Sequence, residues 1–184
     1  MVYTRLRIGF EKEYVMDTME AMFTRRSIRK YTDKPVSTED IEEILKAAFV
    51  APSAADERPW HFVVIRHKDT LEGLAEAMEG CEMLETATLG LLICGDESLE
   101  QIPGFWQQDC SACAENVLLA AHAKGLGACW IAIGGVDPRV KAVREATDVP
   151  ETIVPFALIS IGHPAEELPG EDRYDETRVH AERW

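Results

Sequence analysis

No apolar run in the sequence approaches the ~20 residues that a membrane-crossing helix needs. The first residues also lack the apolar stretch of a secretory signal, carrying Arg5, Arg7, Glu11, Lys12 and Glu13 instead. Positive charge is scarce: 19 Lys and Arg stand against 33 Asp and Glu, a formal net charge of −14 over 184 residues. Nucleic acid and anionic membranes both demand positive surface, so neither is an expected partner, which leaves small molecules and other protein chains. Conventional catalytic signatures are missing as well. There is no G-x-S-x-G elbow, no H-E-x-x-H, no G-x-G-x-x-G after a strand and no Walker loop. The cysteines, at 81, 94, 110, 113 and 129, are odd in number and lie in apolar or helical stretches, as suits a reducing compartment. A cytoplasmic protein is expected.

The chain is long enough for one proper core, and its hydrophobic fraction of 46% is ordinary for a globular domain. Residues 1–16 show no clear periodicity and are read as an extension, with Met16 a second plausible start. From Asp17 the order sharpens. Asp17 with Glu20 forms a capping-box pattern for a short helix bearing Met19, Met22 and Phe23, and Ser37 with Asp40 opens a second. In that helix Ile41, Ile44, Leu45, Ala48 and Phe49 share one face, and Pro52 ends it. Phe62–Ile65 reads as a buried strand, Asp69 as the cap of a third helix, and Thr86–Cys94 as a second strand. A long helix from about Phe105 to Lys124 is closed by Gly125, and its alanines suit the centre of the fold or a subunit interface. Ala128–Ile133 is a third strand, Asp137-Pro138 caps a helix, and Ile153–Ile161 is the last strand. A polar tail follows from Glu166, with Tyr174, Val179 and Trp184 as anchors. Strands alternate with helices without a linker or repeat, which gives one α/β sandwich.

Against the acidic background, Arg25-Arg26-Ser27-Ile28-Arg29-Lys30-Tyr31 concentrates four cations. Such a cluster is either a solvated face or a group gathered around an anion, for which a phosphate fits the forked guanidinium donors. One helix later comes Ala51-Pro52-Ser53-Ala54-Ala55-Asp56-Glu57-Arg58-Pro59-Trp60-His61-Phe62. Cys110-Ser111-Ala112-Cys113-Ala114-Glu115-Asn116, Gly125-Leu126-Gly127-Ala128-Cys129-Trp130 and Pro155–Pro164 complete the series. In this order and spacing the motifs resemble the FMN-dependent nitroreductase family over nearly everything after Met16. The resemblance implies an α+β fold: a three-layer α/β/α sandwich with a mixed central sheet, residues 17–184 forming a single FMN-binding domain, assembled as an intertwined homodimer.

It also implies an FMN oxidoreductase that takes hydride from NADH or NADPH at flavin N5 and passes it to a nitroaromatic, quinone or similar small-molecule acceptor. An organic cofactor would account for the missing protein nucleophiles. By the same resemblance Arg25, Arg26, Ser27 and Arg29 hold the flavin, and Pro52, Ser53 and Ala54 contact the flavin of the partner subunit. Ala132, Ile133, Gly134 and Gly135 bring backbone near N5 and O4, and Arg173 adds a cation at the phosphate. Two positions depart from the family pattern. Asp56 replaces the usual Asn and Arg58 the usual Gln, so the two either pair with each other or alter affinity for flavin or substrate. Cys110 and Cys113, at C-x-x-C spacing, read as packing thiols, with a redox or metal role as the alternative. A specialised reductive dehalogenase, a flavin-cleaving enzyme and a non-catalytic flavin binder also remain open.

Overall fold

The computed structural model describes residues 16–184. The expected N-terminal extension, apart from Met16, lies outside the described residues. Helix α1 (Thr18–Thr24) opens on Asp17, whose carboxylate accepts from the N–H of Met19 at 2.9 Å and of Glu20 at 3.4 Å. Helix α2 (Thr38–Phe49) opens on Ser37, which accepts from Asp40 N at 3.0 Å and donates its hydroxyl to the Asp40 carboxylate at 2.7 Å. There follow β1 (Trp60–Ile65), α3 (Lys68–Ala77), β2 (Leu89–Gly95), α4 (Trp106–Ala123), β3 (Gly127–Ala132), α5 (Asp137–Thr147) and β4 (Val154–Gly162).

Several expectations are corrected. Asp69 does not cap α3: Leu71 N reaches His67 O, so His67 holds the cap position and Asp69 sits in the first turn, where its charge favours the positive helix end. Asp137 is likewise the first residue of α5, because Val136 O already accepts from Arg139 N and Val140 N. The second strand starts at Leu89 rather than Thr86, since a 3-10 turn at Glu82–Glu85 carries on until Ala87 N returns to Met83 O. Tyr174, Val179 and Trp184 do not anchor the tail on this chain; all three are exposed. Polar contacts fasten its beginning instead, including Ala165 N to Lys30 O at 2.8 Å and Arg29 N to Glu166 at 2.7 Å.

The sheet order is β1-β2-β4-β3, and each adjacent pair is antiparallel. Its parallel component among the described residues is one bridge, Ser27 to Ala128, at the outer edge of β3. Strict alternation divides the core into two layers. Leu91 and Ile93 of β2 and Ala157, Ile159 and Ile161 of β4 face α2 and α4, whereas Leu92, Cys94 and Leu158 face α3 and α5. Strands covered on both sides read as continuous apolar runs, and helices close each face, which makes the three layers. The small residues of α4 have the first of their two expected roles in part, since Ala112, Ala120 and Ala123 are only half-buried. Cys110, Cys113, Ala114 and Ala121 are wholly buried within this chain, where α4 packs on α2 and the sheet.

One irregularity shapes the site. The β2–β4 register shifts between Ile93, opposite Ala157, and Cys94, opposite Pro155, leaving Phe156 without a partner on β2. The Phe156 carbonyl then accepts from both Ile133 N at 3.1 Å and Gly134 N at 2.8 Å, and its ring packs edge-on against Trp106 and Trp130.

Candidate functional site

Helix α1 ends at Arg25, and the chain then runs along the outer edge of β3. Ile28 N donates to Ala128 O at 3.0 Å, and the buried Tyr31 hydroxyl bonds Ile28 O and the Ser160 hydroxyl at 2.5 and 2.8 Å. Burial keeps that phenol firmly protonated. The approach depends on a missing side chain. A Cβ at Gly127 would lie 2.6 Å from a methyl of Ile28, too close for any other residue to fit unchanged.

Past this edge lies a cleft of about 680 Å³ whose walls include Phe23, Arg25, Arg26, Glu171, Arg173 and Tyr174. Arg25 sits 3.4 Å from Glu115 of α4. Arg26 donates to Pro169 O and stands 3.7 Å from Glu171, while Arg173 grips the same Glu171 carboxylate at 2.6 and 2.8 Å. Arg173 first and Arg26 after it hold the Glu171 carboxyl below the ordinary carboxylate range. The cleft therefore binds an anion already, one supplied by its own chain. The sequence brings Arg25, Arg26 and Arg173 together as expected. Ser27 and Arg29 stand apart from this cleft, beside the buried thiol of Cys129.

Pro52, Ser53, Ala54 and Asp56 occupy the loop before β1, at the opposite edge of the sheet from β3. Edge strands of a four-stranded sheet are roughly 14 Å apart. None of the four lines the arginine cleft. Ala54 N donates to Asp109 Oδ1 at 3.0 Å, and Ser53 Oγ accepts from Arg58 N at 3.0 Å. Of the alternatives for Asp56 and Arg58, the structure has them paired: two N–H groups of the guanidinium meet the carboxylate at 2.6 and 2.7 Å, lowering the Asp56 pKa. Ala55, Asp56 and Arg58 all take left-handed backbone, with φ of 46°, 57° and 47°. Residues without glycine's freedom in that region mark a loop held there by its surroundings.

Ala132, Ile133, Gly134 and Gly135 follow β3. Ile133 is wholly buried, and its N–H and that of Gly134 are engaged by Phe156 O, so Ala132 and Gly135 are the exposed members. Ala132 O accepts from Arg139 at 2.9 Å, which ties the loop to α5.

A model of the nitroreductase family matches residues 22–98 and 80–163. The chain belongs to the nitroreductase family. A Methanothermobacter thermautotrophicus protein, provisionally named NADH dehydrogenase/NAD(P)H nitroreductase, is 47% identical over 169 residues, covering 92% of this chain and 88% of that protein. Among solved structures, an FMN-dependent nitroreductase of Clostridium difficile matches with a TM-score of 0.84 at 33% identity, over 90% of this chain and 99% of its own. A provisionally named nitroreductase of Desulfovibrio desulfuricans, solved in complex with FMN, matches at 0.79 and 32% identity, over 91% and 97%.

Three groups of this nitroreductase carry no signal in the sequence. Glu171 sits among the site arginines. Glu57 and Asp109 are carboxyls buried behind the Ser53–Arg58 loop. In a chain with 33 acids nothing in the sequence singles these out. The cysteines behave as packing groups. All five are free and buried, and burial pushes the Cys113 thiol up to about 12, which leaves it inert at neutral pH.

Proposed function

We propose that this chain is an FMN-dependent oxidoreductase that moves hydride from NADH or NADPH to a nitroaromatic, quinone or similar acceptor, as a homodimer in the cytoplasm, with residues 17–184 as one FMN-binding domain. The observation that carries this reading is the convergence of Arg25, Arg26 and Arg173 on one cleft, in a family where a solved relative holds FMN. The residues fit the cofactor's phosphate. The carboxylate of Glu171, already forked by Arg173, occupies the donors that a phosphate would use.

FMN, when bound, supplies the hydride chemistry that no side chain here provides. Arg25, Arg26 and Arg173 hold its phosphate, while Ser27 and Arg29 serve the ribityl chain or the pyrimidine edge. Ala132 and Gly135 present backbone to the ring; Ile133 and Gly134, fixed on Phe156 O, hold that turn rigid. Pro52, Ser53, Ala54 and Asp56 belong to the opposite sheet edge, so a second copy supplies them. Exposed Phe23, Val50, Val179 and Trp184 offer apolar surface for such a partner. Five free buried cysteines accord with a reducing cytoplasm. The test is steady-state oxidation of NADH and NADPH with a quinone acceptor. Flavin-dependent turnover is expected; stoichiometric flavin without turnover would make the protein a binder instead.

A further inference from the structure

The Ser53–Arg58 loop rests on two carboxyls that no ion pair among the described residues neutralises. Glu57 is 7% exposed and Asp109 6%. Each has one oxygen that accepts from backbone N–H groups. Oε2 of Glu57 accepts from Gln101 N at 2.7 Å and Ile102 N at 3.2 Å, and Oδ1 of Asp109 accepts from Ala54 N at 3.0 Å. Each also has one oxygen, Glu57 Oε1 and Asp109 Oδ2, buried without a partner. Ala54 brings the two residues to one place: its N–H donates to Asp109 and its carbonyl accepts from Glu57 N at 2.9 Å, and the Glu57 carboxyl acts on Asp109 as a neighbour that raises its pKa. Two buried lone pairs turned on one another repel; one proton between them makes a short, strong bond and satisfies both.

We propose that Asp109 is a positioning residue: it carries a proton and donates it through Oδ2 to Glu57 Oε1, and this carboxyl–carboxylate bond fixes the loop that bears Ser53, Ala54 and Asp56. The bond links three segments: the loop, the Gln101–Ile102 turn and the first turn of α4. Burial, opposed by the Ala54 N–H and reinforced by the charges of Glu57 and Glu100, raises the Asp109 pKa. The other charged groups of the loop, Asp56 and Arg58, are exposed and paired with each other. Above the raised pKa the bond is lost and the loop loosens. The consequence for flavin rests on the proposed function, in which this loop faces the partner's FMN.

An amide mimics the proton permanently. In Asp109→Asn the Oδ1 still accepts from Ala54 and the new N–H donates to Glu57; Glu57→Gln does the same in reverse. In the double variant every amide orientation turns a donor on a donor. Thermal midpoints of the full chain and these three variants across pH decide the matter. The folded wild type holds a proton that the unfolded chain releases above about pH 3.9. Wild-type stability therefore falls relative to Asp109→Asn from that pH until the raised pKa is passed, by about 3–5 °C per pH unit. Both single amides should match or exceed the wild type at neutral pH, and the double variant should melt well below either. A pH-independent loss in Asp109→Asn, or a double variant as stable as the singles, would overturn the shared proton. Flavin content, read on the same samples, reports separately on the loop's contact with FMN. Intact melting behaviour with pH-independent flavin content would spare the bond and refute only the contact.

Discussion

Replacing Arg25 with alanine removes one of three guanidinium groups from the proposed phosphate cleft. A charge-assisted hydrogen bond from such a group to an oxyanion is worth about 1.5–3 kcal/mol. Arg25 does not come to the ligand free, since it stands 3.4 Å from Glu115 with about a quarter of its side chain exposed. Giving up a pair of that kind costs about 0–1 kcal/mol. The net loss on truncation is then about 0.5–3 kcal/mol, roughly 2- to 150-fold in the FMN dissociation constant. Riboflavin, which lacks the phosphate, is the control. Titration of apoprotein by flavin fluorescence quenching should show Arg25→Ala weakening FMN while leaving riboflavin within about twofold, and salt should erode the wild-type preference for FMN. Equal losses for the two ligands would mean that Arg25 acts on the ring or on the fold, and the phosphate assignment would be wrong.

Glu171 competes with the phosphate for Arg26 and Arg173, so Glu171→Gln should tighten FMN by up to about fivefold without changing riboflavin, in the same titration. Gly127→Ala forces a Cβ into Ile28 and should destabilise by about 1–3 kcal/mol in denaturant unfolding, with flavin released because the arginine segment moves. Despite partial burial, hydrogen bonds from Lys124 and Ser37 lower the Asp40 pKa. That stabilisation is present above the ordinary carboxylate pKa and disappears as pH falls through the depressed one. Asp40→Asn should therefore cost about 0.5–1 kcal/mol at pH 7, and the gap in urea unfolding should close in acid.

Much of the architecture is legible from periodicity. Ile41, Ile44 and Ala48 fall on the buried face of α2, although Phe49, expected on the same face, is exposed, and the apolar run around Leu91–Cys94 is a strand covered on both sides. Helix starts were harder to place. Asp69 and Asp137 carry the chemistry of a cap, yet the cap falls two residues earlier in α3, at His67, and one residue earlier in α5, at Val136, a matter of local carbonyl geometry that composition does not encode. The basic motif was visible because four cations stand out in an acidic chain. Glu57, Asp109 and Glu171 were not, because an acid among 33 gives no hint of being buried or of facing arginine. The Asp56–Arg58 pair shows both limits. The sequence marks the two positions as unusual, while the left-handed backbone that turns them toward each other belongs to the folded loop.

The central claim is that one flavin site needs two copies of this chain, because the arginine cleft and the Ser53 loop occupy opposite edges of one sheet. Native mass spectrometry of the purified protein, across a dilution series, tests it most directly. The predicted species is a dimer carrying two FMN, with flavin lost in step with dissociation. A monomer that keeps one FMN at concentrations where no dimer remains would contradict it.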